Sequence, residues 1–439
     1  MRWLITLFAL FSLFAAPGQE NREAFAPFRG RELPRGCITP APRAVLADEG
    51  QNTYVRTVAW QRTEVPGGTR FAAECSVPFA WTNRQVLLRI ASAPAGYDLT
   101  VNGRSAGSVR SGALMAEFNL TRLLREGANR IELFVEKNPA ARVLEDFSHP
   151  DSVGLSQLVS QPTIRIRDVL VSTRPVEGGA LAEIGIVVKC DALNEKQARI
   201  HYDLRDTANR VAASGFNDLA LSMRGEDTLR FTAAIPLGDL WEPDSPMLYR
   251  LQLRTQTAGR YTEYLSLPVG FRFVELRGSE LFINGRAADV RLCEVARPLT
   301  EADAERLKAS GCNLLYPAPG ISDEALYDLC DRLGLYVVAQ APLCTRAAGL
   351  SRKKDGNPTN CPAWTAACVD RAEASYHAAK RHPSVVAFSI ARESANGIGL
   401  YESYLNLKRR ERQRPIVYFD AEGEWNNDKF SVISYKTAE

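Results

Sequence analysis

Histidine and methionine are scarce in this chain, with four of each among 439 residues. So few imidazoles, none at metal-ligand spacing from cysteines, argue against a structural zinc site. Charge of one sign is also lacking. The 54 Lys and Arg residues nearly balance the 51 Asp and Glu, for a net charge of +3. A nucleic-acid binder needs a concentrated basic face. The densest cationic run, Lys408 to Arg414, lies between a helical pattern and a strand and reads as a solvated helix end. No apolar run reaches the about 20 residues that a membrane-spanning helix takes, so no membrane span is expected.

The first residues do carry a short apolar run. Met1 and Arg2 precede Trp3 to Phe14, and small residues follow at Ala15 and Ala16. This pattern predicts a signal peptide over residues 1–18 and an exported protein, periplasmic or extracellular. Export permits disulfides. Nine cysteines are present, and an odd number leaves at least one thiol unpaired. Cys361 and Cys368 are near enough in sequence to pair across a loop, a pairing left open, whereas Cys312 and Cys330 sit in apolar patterns and read as buried thiols.

Residues 19–165 read as an all-β domain. Short alternating runs such as Gln85 to Ile90 and Arg130 to Val135 are separated by Gly, Asn and Pro clusters. Asn102-Gly103 marks a hairpin, because both residues tolerate positive φ. A jelly-roll β-sandwich fits. Residues 166–272 have the length and strand pattern of one immunoglobulin-like β-sandwich. From 273 to 439 strands and helices alternate, which implies parallel strands with crossover helices. Six apolar strands are counted: 281–283, 313–316, 335–338, 385–390, 416–419 and 430–435. Thr300, with Asp303 three residues on, is the expected N-cap of the first helix. A closed (β/α)8 TIM-type barrel takes about 250 residues and eight strands, so an incomplete barrel of about six strands is predicted.

The ordered set of local motifs resembles glycoside hydrolase family 2, the family of β-galactosidase, β-glucuronidase and β-mannosidase. The resemblance rests on Trp241-Glu242-Pro243-Asp244-Ser245-Pro246-Met247-Leu248-Tyr249, on Gly270-Phe271-Arg272 followed by Leu281 to Arg286, on Leu329 to Val338, and on Arg381-His382-Pro383-Ser384-Val385-Val386. It implies a retaining glycosidase scheme, in which one carboxylate protonates the leaving oxygen and a second attacks the anomeric carbon. The stretch Ser389-Ile390-Ala391-Arg392-Glu393-Ser394 is similar to the family's acid/base motif and puts Glu393 on the acid/base position, at the C-terminal end of a barrel strand.

The same resemblance implies a depleted site. Arg392 replaces the Asn expected before the acid/base Glu and brings a cation beside Glu393. The stretches Arg291 to Arg297, Tyr316 to Ile321 and Ala339 to Ala347 lack most of the family's charged and imidazole groups. Cys344 and Arg346 stand where β-galactosidases help to hold magnesium, and both are poor ligands for a hard cation, so no metal and no cofactor are expected. Tyr435 matches a functional tyrosine of the sixth strand, and the sequence stops four residues later, before a nucleophile-bearing seventh strand. Asp420, Glu422 and Glu424 follow the fifth strand but are not expected to serve as a substitute nucleophile.

The expectation is therefore a β-galactosidase-like protein of carbohydrate metabolism, impaired in catalysis, that binds a β-glycoside or polysaccharide. Arg392, Tyr435 and Trp425 are its candidate substrate-binding residues, with Tyr418 and Phe388 as further aromatic surfaces. Two alternatives stand beside it. One is an active O-glycosyl hydrolase whose nucleophile is substituted or supplied by a partner. The other is a cell-envelope assembly or scaffold component. Open barrel edges predict a protein partner, a homo-oligomer or a rearranged closure as cover.

Overall fold

The computed structural model describes residues 27–32, 54–421, 423–430 and 432–434. The leader predicted over residues 1–18, together with Cys37, Glu422 and Tyr435, lies outside the described residues.

Two antiparallel sheets face each other in the first sandwich. Gly127–Glu136 shows why. Asn129, Ile131, Leu133 and Val135 are buried while Arg130 and Glu136 are exposed, so one face of the strand belongs to the core. This strand pairs with Gly68–Val77 over ten residues. The hairpin predicted at Asn102-Gly103 is present, with φ of 51° and 76° at the two positions and Val101 opposite Arg104. A second sandwich follows. Ile164–Val176, Gly179–Cys190 and Glu226–Pro236 form one of its sheets. Val211–Leu221, Lys196–Arg205, Tyr249–Thr257 and Arg260–Val269 form the other. Buried Glu117 ties the two sandwiches by accepting from Arg89 at 2.5 Å and Arg167 at 3.1 Å.

The third part departs from the expected strand list. Leu281 to Ile283 belongs to Glu280–Ile283, which pairs antiparallel with Val274–Arg277 and Arg286–Ala287 in a small separate sheet. The first barrel strand is Arg291–Val295. It is followed side by side in chain order by Leu314–Pro317, Tyr336–Gln340, Val385–Ser389 and Ile416–Val417, all parallel. Ile433–Ser434 does not extend this series. It pairs in parallel with Arg291 and Leu292 at the opposite edge, so the sixth strand turns back toward the first. Phe419 and Phe430 fill the concave face between the two edges. Phe419 packs edge-on against Tyr316 at 5.2 Å, and Phe430 lies 6.4 Å from Phe419. The interior is thus an apolar core, shared with Leu292, Leu314, Tyr336, Val338 and Val417.

Helices Glu301–Ala309, Glu324–Leu333, Thr365–Ala379 and Ile398–Arg410 cover the outside. The first carries the predicted capping box. The Thr300 hydroxyl accepts from the Asp303 amide, and the Asp303 carboxylate accepts from the Thr300 amide. Helix Glu324–Leu333 ends at Gly334, whose φ of 68° suits the left-handed cap and whose absent Cβ leaves room for the Pro243 backbone. No helix among the described residues is long and apolar enough to cross a membrane.

Two cysteine expectations change. Cys312 is not a thiol, because it forms a disulfide with Cys293. The apolar pattern that marked its burial says nothing of the strand end that faces it. Cys361 and Cys368 are unpaired, and Cys330 is a buried thiol. The cationic run also differs from a simple solvated end. Arg410 pairs with Glu373, Lys408 pairs with Asp428, and Arg414 is buried against Glu411.

Candidate functional site

The rim of the barrel at the C-terminal strand ends is assembled from three directions. After Val385–Ser389 the chain runs through Ile390, Ala391 and Arg392 to Glu393. After Tyr336–Gln340 it runs to Cys344 and Arg346. The third contribution comes from the first sandwich. Its segment Ala140–Leu144 packs Ala141 and Leu144 into the barrel's outer core. Leu144 O then accepts from Cys344 N, and Cys344 O accepts from Asp146 N, at 3.0 and 2.9 Å. Cys344 also bridges in parallel to Arg392, so the sandwich tail and the two barrel strands form one short ladder.

Behind this ladder Arg371 donates to Glu145 at 2.6 Å, with both side chains almost fully buried. Arg31 makes a second buried ion pair, with Asp370. The first sandwich is therefore bonded into the barrel beneath the rim.

Glu393 itself adopts φ of 45°, the left-handed region that costs an L-residue with a full side chain roughly 1–2 kcal/mol. Its amide donates to Asp420 Oδ2 at 2.7 Å, which holds the turn. Its carboxylate Oε2 accepts from Arg346 Nη1 at 2.9 Å and lies 3.9 Å from the Cys344 thiol. The Arg346 Nε is 3.4 Å from Asp146 Oδ2, so one guanidinium joins a barrel carboxylate to a sandwich carboxylate. Glu393, followed by Asp146, raises the Arg346 pKa above its ordinary value. Burial likewise pushes the Cys344 thiol up, which leaves it protonated rather than nucleophilic.

Arg392 does not act on Glu393 as expected from adjacency. Its side chain leaves in the other direction, stacks over the Tyr316 ring at 4.7 Å and pairs with Glu294 at 2.6 Å. The cation that meets Glu393 is instead Arg346, from the loop after the adjacent strand. Tyr316 is buried and its hydroxyl is pushed up to about 12, mainly by burial. Tyr418 is fully buried and structural, donating to Ser394 O, and Phe388 is packed against Tyr376 at 5.1 Å. Trp425 is exposed and sits on the same rim. The neighbouring Asn426 exchanges two hydrogen bonds with Asn396, at 2.9 and 2.7 Å, three residues beyond Glu393. Tyr435 lies outside the described residues. From sequence Arg346 stands only as a poor magnesium ligand, and Asp146 and Glu294 carry no role; in the structure all three belong to the site. Their signal was the arrival of an Arg in the third-strand stretch, which makes sense only with carboxylates to receive it.

The residues present do not fit a magnesium ion beside Glu393. A hard cation needs several oxygen ligands, and here a guanidinium and a thiol occupy the space. One metal-capable group occurs among the described residues, Asp328, Asp331 and His382. It lies at the opposite end of strand Val385–Ser389. There the His382 Nδ1 contacts Asp331 Oδ2 at 2.7 Å, and Asp331 Oδ1 accepts from Ser384 N at 2.9 Å, which orders the strand entrance.

Two sandwiches feeding a parallel barrel, with a glutamate on the C-terminal rim, define a glycosidase-type scaffold. Residues 164–272 match the family model for glycosyl hydrolases family 2, and residues 291–438 match its TIM barrel domain. The chain belongs to glycoside hydrolase family 2. It is 27% identical over 367 residues to a beta-galactosidase of Psychromonas ingrahamii, covering 78% of this chain and 35% of that protein. Against a beta-galactosidase of Aeromonas hydrophila it is 28% identical, covering 79% and 35%. The chain thus spans about a third of the length of the curated relatives it matches. Among solved structures, a beta-glucuronidase of Bacteroides uniformis superposes with a TM-score of 0.69 at 17% identity, covering 89% of this chain and 52% of that one. The beta-D-glucuronidase of Dictyoglomus thermophilum gives 0.67 at 18% identity, covering 84% and 73%. At these identities the superpositions speak to the fold alone.

Proposed function

We propose that this chain binds carbohydrate at the Glu393 rim without hydrolysing it. The observation that carries the reading is the engagement of Glu393 itself. Its carboxylate is held by Arg346, and its strained backbone is held by Asp420. Retaining hydrolysis takes a proton donor and a second, opposed carboxylate about 5–5.5 Å away. The nearby carboxylates are otherwise committed, Asp420 to the Glu393 amide, Glu294 to Arg392 and Asp146 to Arg346. A rim of paired carboxylates and guanidiniums is suited to hydroxyl recognition, because both partners retain spare donors and acceptors. The backbone strain at Glu393 supports retention of this residue for a binding role.

The test is an assay of purified protein on aryl glycosides of galactose, glucuronic acid and mannose, in parallel with Glu393→Gln, plus calorimetry with the free sugars. Saturable binding with no turnover is the expected result. Turnover that Glu393→Gln abolishes would instead establish an active glycosidase. Neither turnover nor binding would leave the assembly role, which a pull-down from envelope extract addresses.

A further inference from the structure

Trp425 is the most exposed large aromatic on the rim, with 56% of its surface open. It is not loose. Its ring stacks on Tyr401, with centroids 5.2 Å apart and planes 11° apart, and it meets Tyr404 edge-on at 6.0 Å. Both tyrosines project from helix Ile398–Arg410 at a spacing of three residues, which puts them on one face. Tyr404 is fixed in turn by donating to Asp428 at 2.9 Å, and Asp428 also receives Lys408 Nζ and the Ile416 amide. On either side of the indole the chain is pinned. Glu424 pairs with Arg352 at 2.7 Å, and fully buried Asn426 is locked to Asn396.

A rigid, outward-facing indole bordered by the Arg352–Glu424 ion pair and by Lys429, whose Nζ donates to Glu424 O at 3.1 Å, has a definite chemical complement. A pyranose offers an apolar C–H face to the ring and hydroxyls to the charged fringe. An apolar protein surface would instead bury Arg352 and Glu424 at a desolvation cost. We propose that Trp425, backed by Tyr401 and Tyr404, is an outer subsite for an extended glycan whose other end lies at the Glu393 rim. Buried Asn426, beside Trp425, is bonded to Asn396, three residues beyond Glu393, which anchors the indole's segment next to the rim. This inference rests on the carbohydrate-binding reading above and adds the length of the ligand.

Calorimetry with β-1,4-linked galacto- and manno-oligosaccharides of one to six units tests it, using wild type, Trp425→Ala, Trp425→Phe and Glu393→Gln. Wild-type affinity is expected to rise with length. Trp425→Ala should lose about tenfold for the longer chains, a stacking contribution of ~1.4 kcal/mol, and less for the monosaccharide. Trp425→Phe should keep most of the gain. Circular dichroism controls for folding. Equal affinity of Trp425→Ala and wild type at every length overturns the subsite while leaving rim binding intact. Absence of binding at every length overturns both.

Discussion

Arg346 and Glu393 are bonded across adjacent barrel loops at 2.9 Å, and the same guanidinium reaches Asp146 of the first sandwich. The rim glutamate is thus not a free group on a finished barrel. It is one corner of a charge network that exists only when sandwich and barrel are docked.

The backbone at Glu393 gives the first prediction. Its φ of 45° suits glycine better than any side chain, and its amide depends on Asp420. Glu393→Gly should therefore be more stable than Glu393→Ala by about 1 kcal/mol, because only the glycine relieves the left-handed strain. Asp420→Ala should cost a further ~1 kcal/mol through the lost hydrogen bond. Urea midpoints at constant m-value measure both. Equal stability of the Gly and Ala variants would show that the turn is unstrained.

The docking of sandwich and barrel gives the second. Arg371 and Glu145 are 1% and 2% exposed and face each other at 2.6 Å. Glu145→Gln leaves a guanidinium buried beside a neutral amide and should destabilise by about 3–5 kcal/mol. Replacing both members, by Leu and Met, should recover much of that loss. Thermal unfolding of the two variants separates a pair that supports docking from one that is only tolerated.

The third concerns Cys293–Cys312, which closes a loop across a sequence separation of 19 between the first strand and the approach to the second. A loop of this size restricts the unfolded chain enough to stabilise by about 3 kcal/mol. The Cys293→Ala, Cys312→Ala double variant should lose that amount under oxidising conditions. It should match wild type in the presence of reductant.

The parts of this architecture that are legible in sequence share a physical basis. Asn102-Gly103 and Thr300 with Asp303 are local signals whose partners lie within four residues, and both form as expected. The same turn chemistry stands at Asn284-Gly285, with φ of 51° and 81°. The apolar run Leu281 to Ile283 just before it has the composition of a barrel strand, and that composition masks the hairpin. The rest depends on contacts distant in sequence. Arg392 turns toward Glu294 across 98 positions of chain because it leaves the strand end on the side opposite to Glu393. Arg346 finds Asp146 only through the folded ladder at Cys344. The return of Ile433–Ser434 to the first strand is likewise a matter of closure geometry, which short-range periodicity does not encode.

Glu263 supplies the last prediction, on pH. It is fully buried between the second sandwich and the end of the first, where its carboxylate accepts from the Ile166 amide at 2.8 Å, from Thr255 at 3.2 Å and from Gln161 at 3.2 Å. Burial outweighs these bonds and the nearby Arg165 and Arg84, and pushes its pKa up to about 7. The folded state therefore holds a proton that the unfolded chain releases at its ordinary, lower carboxylate value. A group of this kind contributes stability that is fully present below the unfolded pKa and is lost as pH rises through the folded one. Each tenfold gain in proton affinity on folding is worth about 1.4 kcal/mol, so the loss between about pH 4.5 and 8 is about 3 kcal/mol at most. Glu263→Gln keeps an acceptor for Ile166 and cannot ionise. Its stability should hold level across that range, while wild type falls toward about pH 8. Chemical denaturation at a series of pH values reads the difference between the two slopes. Parallel curves would place the pH response on other groups.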